Sequence, residues 1–156
     1  MRDIGQLTTY INETIEKKIL PDLIDAQRET AEQIQEDAIA KAPKDTGAYA
    51  KSIKVGKTKI EGKEISTEIF TDLVVGEGKW STVPLGTWLE YGTGIVGQRS
   101  NKIDHDFEYR QTPWVYFNER LNRFVFTEGM VARPHFYFAL QKNIGLYEKK
   151  ILEAIE

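Results

Sequence analysis

The chain has no cysteine, which removes disulfides, thiol nucleophiles and cysteine-ligated metal centres at once. Histidine is nearly as scarce, with His105 and His135 the only two. No apolar run approaches the length that spans a bilayer, and Met1-Arg2-Asp3 leads into no signal-peptide core. Basic surplus is missing too: the net charge is -3, whereas tight nucleic-acid binding usually shows as a strong excess of lysine and arginine. There is no Gly-x-Ser-x-Gly elbow, no phosphate-binding glycine loop, no internal repeat and no linker between two halves. What remains is 156 residues, enough for one domain over 1–156 that buries a core without metals or disulfides.

The pattern of apolar residues divides that domain. From about Thr8 to Ala42, Ile11, Ile15, Ile19, Leu23, Ala31, Ile34, Ala38 and Ala42 recur mostly at steps of three or four, with charged residues between them. That predicts a long amphipathic N-terminal helical region over 1–42. Pro21 lacks a backbone donor and predicts a kink, or two helices meeting near Leu20. A helix this long exceeds what one small sheet covers, so part of its stripe is expected to face another subunit. Pro43 ends it by forcing Ala42 out of helical geometry. Asp45 or Thr46 is then placed to cap a short turn through Ala48-Tyr49-Ala50, with Gly47 supplying backbone freedom.

After Ser52 the period becomes two. Ile53 and Val55 share a face, Gly56 intervenes, and Thr58 and Ile60 resume on the other parity, which predicts a bulge at Gly56. Glu61-Gly62-Lys63 is a turn, and Ile65, Thr67, Ile69 and Thr71 complete an antiparallel hairpin. Lys51, Lys54, Lys57 and Lys59 read as a solvated strand face, or more sharply as a docking surface for an acidic partner. Gly76-Glu77-Gly78-Lys79 forms a loop. Leu85–Tyr91 fits a short helix or a buried strand, closed by Gly92-Thr93-Gly94. Ile95–Asp106 is polar and reads as a loop. Trp114–Phe117 and Arg123–Phe126 form a second hairpin, on which Trp114, Tyr116, Phe124 and Phe126 are assigned to one core or interface face. Arg133-Pro134 opens a last helix carrying Phe136, Leu140, Ile144, Tyr147, Ile151 and Ile155. The expected class is α+β: long N-terminal and C-terminal helices packed on a small, mostly antiparallel sheet, with a loop and hairpin projecting between residues 95 and 129.

One tripeptide could carry catalysis. Asp45-Thr46-Gly47 matches the core of aspartic proteases, in which two chains each lend a carboxylate and the pair shares one proton. Ile95-Val96-Gly97 loosely resembles the supporting segment of such enzymes. The active aspartate there ends an apolar strand, however, whereas Asp45 follows Lys41-Ala42-Pro43-Lys44 at the end of a charged helix. Asp104-His105-Asp106 offers metal-ligand types, but adjacent residues on a polar loop rarely converge on one ion. No catalytic, cofactor-binding or metal-binding residue is assigned, and a homodimeric protease using Asp45 stands as the alternative.

Three segments together resemble one family. Ala42-Pro43-Lys44-Asp45-Thr46-Gly47 with Ser52-Ile53, then Leu89-Glu90-Tyr91-Gly92-Thr93, then Ala132-Arg133-Pro134 with Phe136 and Ala139-Leu140, are similar in order to the minor tail component, or head–tail joining, family of HK97-type long-tailed phages. Tyr49 replaces a commoner leucine, and no proline precedes Ala139-Leu140. The resemblance implies a structural virion protein without cofactor rather than an enzyme: a tail-completion or neck component made and assembled in the host cytoplasm. Its implied partners are other copies of itself in a ring, a hexamer among the arrangements open to it. A head-completion or connector protein and a tail-terminator or tail-tube protein are implied as neighbours, with no specific nucleic-acid or membrane binding. It marks Pro43, Asp45, Thr46, Gly47, Ser52, Glu90, Tyr91, Gly92, Thr93, Arg133 and Pro134 as structural motif residues.

Overall fold

In a computed structural model, one helical rod dominates the molecule; the structure describes residues 4–44, 47–62, 64–74, 83–106 and 108–155. Helix α1 (Ile4–Thr14) runs into a π-helical segment (Ile15–Ile19) and then into α2 (Leu20–Lys41). Pro21 neither breaks nor separates these pieces. The dihedrals at Thr14, Ile19 and Leu20 are all right-handed helical, and the Leu20 amide bonds back to Ile15 O, five residues earlier. A proline clashes with the preceding turn and donates nothing to it; a wider π turn just ahead of Pro21 removes the conflict without bending the chain out of helix. Lys41 ends α2, with Ala42 in extended geometry before Pro43.

The far half of the rod packs antiparallel on α6 (His135–Ile155), which begins one residue after Pro134. Small side chains make the close approach possible: Ala26, Ala31, Ala38 and Ala139 are all buried. Polar bridges hold the edges of the pair. Asp37 accepts hydrogen bonds from Lys142 Nζ and Asn143 Nδ2, both at 2.7 Å, and these hold its carboxyl below the usual range. Lys150 pairs with Glu29. Much of the larger stripe read along α6 stays outside the core: Leu140, Ile144 and Ile155 are exposed.

Between the two helices lie α3 (Ala48–Ser52) and a long interrupted hairpin. Strand β1 (Ile53–Val55) pairs with β4 (Ile69–Thr71), and β2 (Lys59–Glu61) pairs with β3 (Glu64–Ser66). Val55 faces Ile69 and Lys59 faces Ser66, so Gly56, Lys57 and Thr58 oppose only Thr67 and Glu68. The one-residue excess is the bulge expected from the parity change, and the Gly56 amide bonds to Glu68 O at 2.8 Å across it. Ile53 joins Ile34, Ala38, Ala42, Tyr49, Leu89 and Ala139 in the core.

The chain then forms α4 (Leu85–Tyr91) and α5 (Gly94–Ser100). Helix α5 corrects the reading of 95–106 as a loop throughout: the seven-residue turn is too short and too polar for periodicity to reveal, and Ser100 Oγ stabilises it by bonding Val96 O at 2.8 Å. Beyond it project β5 (Trp114–Asn118) and β6 (Arg123–Thr127), tied at the base by β7 (Gly129–Met130) to Thr93 and Gly94. The hairpin loop Glu119–Asn122 closes with Asn122 at φ 47° and Leu121 N bonded to Asn118 Oδ1. The architecture is α+β, as the sequence patterning anticipates, and among the described residues the paired strands form three separate two-stranded antiparallel units.

Candidate functional site

The three sequence segments that carry the family resemblance meet in space. Glu90, from α4, lies buried against the first turn of α6. Its Oε2 accepts hydrogen bonds from the backbone amides of His135 (2.9 Å) and Phe136 (3.1 Å), and its Oε1 accepts one from Tyr137 (2.7 Å). Three of the amides that a helix start leaves without internal partners are thus satisfied by one carboxylate, which also sits at the positive end of the helix dipole. The Arg133 amide adds a 2.7 Å bond to Leu89 O beside it.

His135 links this cap to the first segment. Its Nδ1 lies 2.9 Å from Arg133 O and 3.1 Å from Glu90 Oε2. Both neighbours are acceptors, so Nδ1 carries a proton. In the neutral imidazole the Tyr49 hydroxyl then donates to Nε2 at 2.5 Å, with the two rings edge to face. Burial pushes the Tyr49 phenol upward, and the Glu90 carboxylate adds to that shift, so Tyr49 stays protonated well beyond the ordinary range. For Glu90, burial acts to raise the pKa, but the hydrogen bonds from His135, Tyr137 and Phe136 outweigh it and hold the group ionised below its ordinary value.

A tyrosine, a histidine and a carboxylate in line have the outline of a nucleophile, a base and an orienting group. Here each polar atom is engaged by another segment of the same chain, and all three side chains are at least nine-tenths buried. The arrangement acts as a clasp between α3, α4 and α6. Ser52 extends it, with its hydroxyl 2.7 Å from Tyr49 O and 2.6 Å from Thr71 Oγ1. Gly92 closes its other side at φ 75°, where a Cβ would come within 2.5 Å of Met130 O and 2.7 Å of Ala132 N. Thr93 Oγ1 accepts the Met130 amide, and Tyr91 O accepts the Tyr109 hydroxyl.

Sequence reasoning named Ser52, Glu90, Tyr91, Gly92, Thr93, Arg133 and Pro134 but did not link them, and missed Tyr49 and His135 as partners. The signal available was their place inside the three resembling segments. Gly47 sits at φ 72° before α3; Asp45 and Thr46, and with them the expected cap and the protease alternative's aspartate, lie outside the described residues, as do Gly76-Glu77-Gly78-Lys79 and Phe107. The His105 ring packs edge-on to Tyr91 and Tyr109, and among the described residues no cluster of three or more metal-ligating side chains occurs.

The surfaces also need correction. Trp114 and Tyr116 do not share a face with Phe124 and Phe126. The four-residue loop pairs Asn118 with Arg123, so Phe117 meets Phe124 and Val115 meets Phe126. Those four form one outward face, while Trp114, Tyr116, Val125 and Thr127 form the other. Alternation within each strand was legible; loop length decides which parities join. Phe124 and Phe126 are 72% and 67% exposed, whereas Trp114 is half-buried under the Arg110 guanidinium. The lysine row is likewise diluted. Lys54 pairs with Asp72 at 2.6 Å, and the bulge puts Lys54 and Lys59 on the face that also carries Glu61, Glu64 and Glu68.

A sequence model of one family, "Bacteriophage HK97-gp10, putative tail-component", matches residues 5–92. The match contains the rod, both halves of the interrupted hairpin and the Glu90 end of the clasp. No curated protein and no solved structure matches the chain.

Proposed function

The chain belongs to the HK97-gp10-like family of bacteriophage tail components, and we propose that it joins head to tail as a tail-completion or neck protein. It works through surfaces, as one domain over 1–156, in a ring of its own copies between a connector protein on the head side and a terminator or tube protein on the tail side. The observation that carries this reading, beside the family, is the outward face of Val115, Phe117, Phe124 and Phe126 on a hairpin whose contacts are mainly internal. A contiguous apolar face on a projecting element marks an interaction site. The mildly acidic chain has little electrostatic attraction for DNA passing through a channel. On this reading Asp45 supplies no chemistry, and Asp45→Asn leaves joining intact.

The test is to disrupt the gene in the phage or prophage that encodes it. Full heads and separate complete tails are expected, rejoined when the protein is added back. Intact infectious particles without the protein would remove the proposed role.

A further inference from the structure

We propose that the apolar stripe of α1 seats in an apolar groove on a second copy of this chain, so that copies join arm to groove. The proposal rests on the self-assembly part of the reading above and names its contact.

The first half of the contact is the arm. Leu7, Tyr10, Ile11 and Ile15 fall at i, i+3, i+4 and i+8 and so lie on one side of the helix, yet they are 46–58% exposed. Salt bridges fix the direction of α6 against α2, with Lys142 on Asp37 and Lys150 on Glu29. The C-terminal end of α6 therefore comes level with the start of α2, and α1 continues past it. An exposed apolar stripe of this kind on one side of a helix marks an interaction surface.

The second half is the groove. A cavity of about 650 Å³ opens between α2, β4, α4 and α6, walled by Ile34, Ile69, Phe136, Leu140, Ile144 and Tyr147 among others. Leu140 and Ile144 are 48% and 40% exposed on its rim. An amphipathic helix laid into an apolar groove is anchored by side chains at the spacing the arm offers. The hairpin face, by contrast, is the open side of a two-stranded ribbon and offers no trough.

The occupant is another copy because the chain's own arm cannot reach. Helical backbone runs on through Thr14, Ile19 and Leu20, with no turn that would fold the arm back along α2. Ile11 therefore lies roughly 24 Å along the axis from Gln27, the first groove residue on α2. Area points the same way. The chain exposes 11492 Å², whereas a compact monomer of 17.9 kDa exposes about 8000 Å². The surplus exceeds several times over the ~800 Å² that each partner gives to a standard interface. Arm and groove are different patches on one chain, which is the heterologous contact that generates rings.

The absence of cysteine makes the test direct. Ile11→Cys and Ile144→Cys full-length proteins are mixed at high concentration and oxidised, beside a control mixture of Ile11→Cys with Phe124→Cys. The arm-to-groove pair is expected to give a heterodimer in several-fold greater yield than the control. Equal yields, or no heterodimer, overturn the proposal. Leu7→Asp with Ile11→Asp, at exposed positions that leave the fold alone, is expected to weaken self-association roughly ten-fold or more by light scattering. Unchanged association would sink the arm's role while leaving self-assembly standing. A wild-type protein that stays monomeric at every concentration, alone and on heads, would remove both.

Discussion

At the scale of single residues, Glu90 has the most to lose. Glu90→Gln keeps size but replaces a charged acceptor of three amides with a neutral one, and it leaves His135 beside an amide rather than a carboxylate. Denaturant unfolding is expected to show a loss of about 2–4 kcal/mol, in the range for breaking a buried charged network. The pH dependence has two limbs. Because the folded-state pKa of Glu90 is lowered, its contribution is present above the unfolded carboxylate range and is lost as pH falls through the lower folded value. Because that of Tyr49 is raised, its contribution is present below the unfolded phenol range and is lost as pH rises past it. Unfolding midpoints across pH should therefore fall at both ends, and Tyr49→Phe should flatten the alkaline limb while lowering stability by about 1–3 kcal/mol near neutrality, because it strips His135 Nε2 of its donor. Gly92→Ala, which drives a Cβ into the backbone of Met130 and Ala132 at a left-handed φ, should fail to give a folded protein by circular dichroism at temperatures where the parent is folded.

At the scale of elements, the rod and the hairpins show what a sequence can and cannot disclose. Helical periodicity located the N-terminal rod to within a few residues, and a change of parity at Gly56 located the bulge, because both are repeats in one dimension. The π turn was hidden, since nothing in a side-chain pattern shows which of two accommodations the backbone makes to Pro21. Pro21→Ala should let the segment return to ordinary helix and raise stability, by no more than the ~3 kcal/mol that proline costs in a helix interior; thermal unfolding followed by helicity measures it. The aromatic hairpin was legible as two strands but not as two faces, because the pairing of Phe117 with Phe124 depends on a loop of four residues rather than three or five. The clasp was illegible for a different reason. Tyr49, Glu90 and His135 are far apart in sequence, and their meeting is a property of how α3, α4 and α6 pack.

At the scale of the molecule, the proposed function assigns stability and assembly to different surfaces. The clasp and the alanine-lined contact of α2 with α6 hold the fold, whereas the arm and the outward face of the hairpin contribute little to it. Substitution of exposed side chains away from buried networks usually changes stability by less than about 0.5 kcal/mol. Phe124→Asp with Phe126→Asp should therefore leave the unfolding midpoint nearly unchanged and still abolish function, while Glu90→Gln should lower the midpoint and spare function at temperatures where the protein remains folded. Catalysis centred on any buried residue would reverse that order.

The most direct measurement is joining in vitro. Heads and tails prepared without this protein are mixed with the purified wild-type chain or with the Phe124→Asp, Phe126→Asp variant, and infectious particles are counted. The wild-type protein should restore infectivity and remain in the particle, and the variant, folded equally well, should restore none. Restoration by the variant, or by a wild-type protein that is not retained in the particle, would contradict a protein that works through its surfaces.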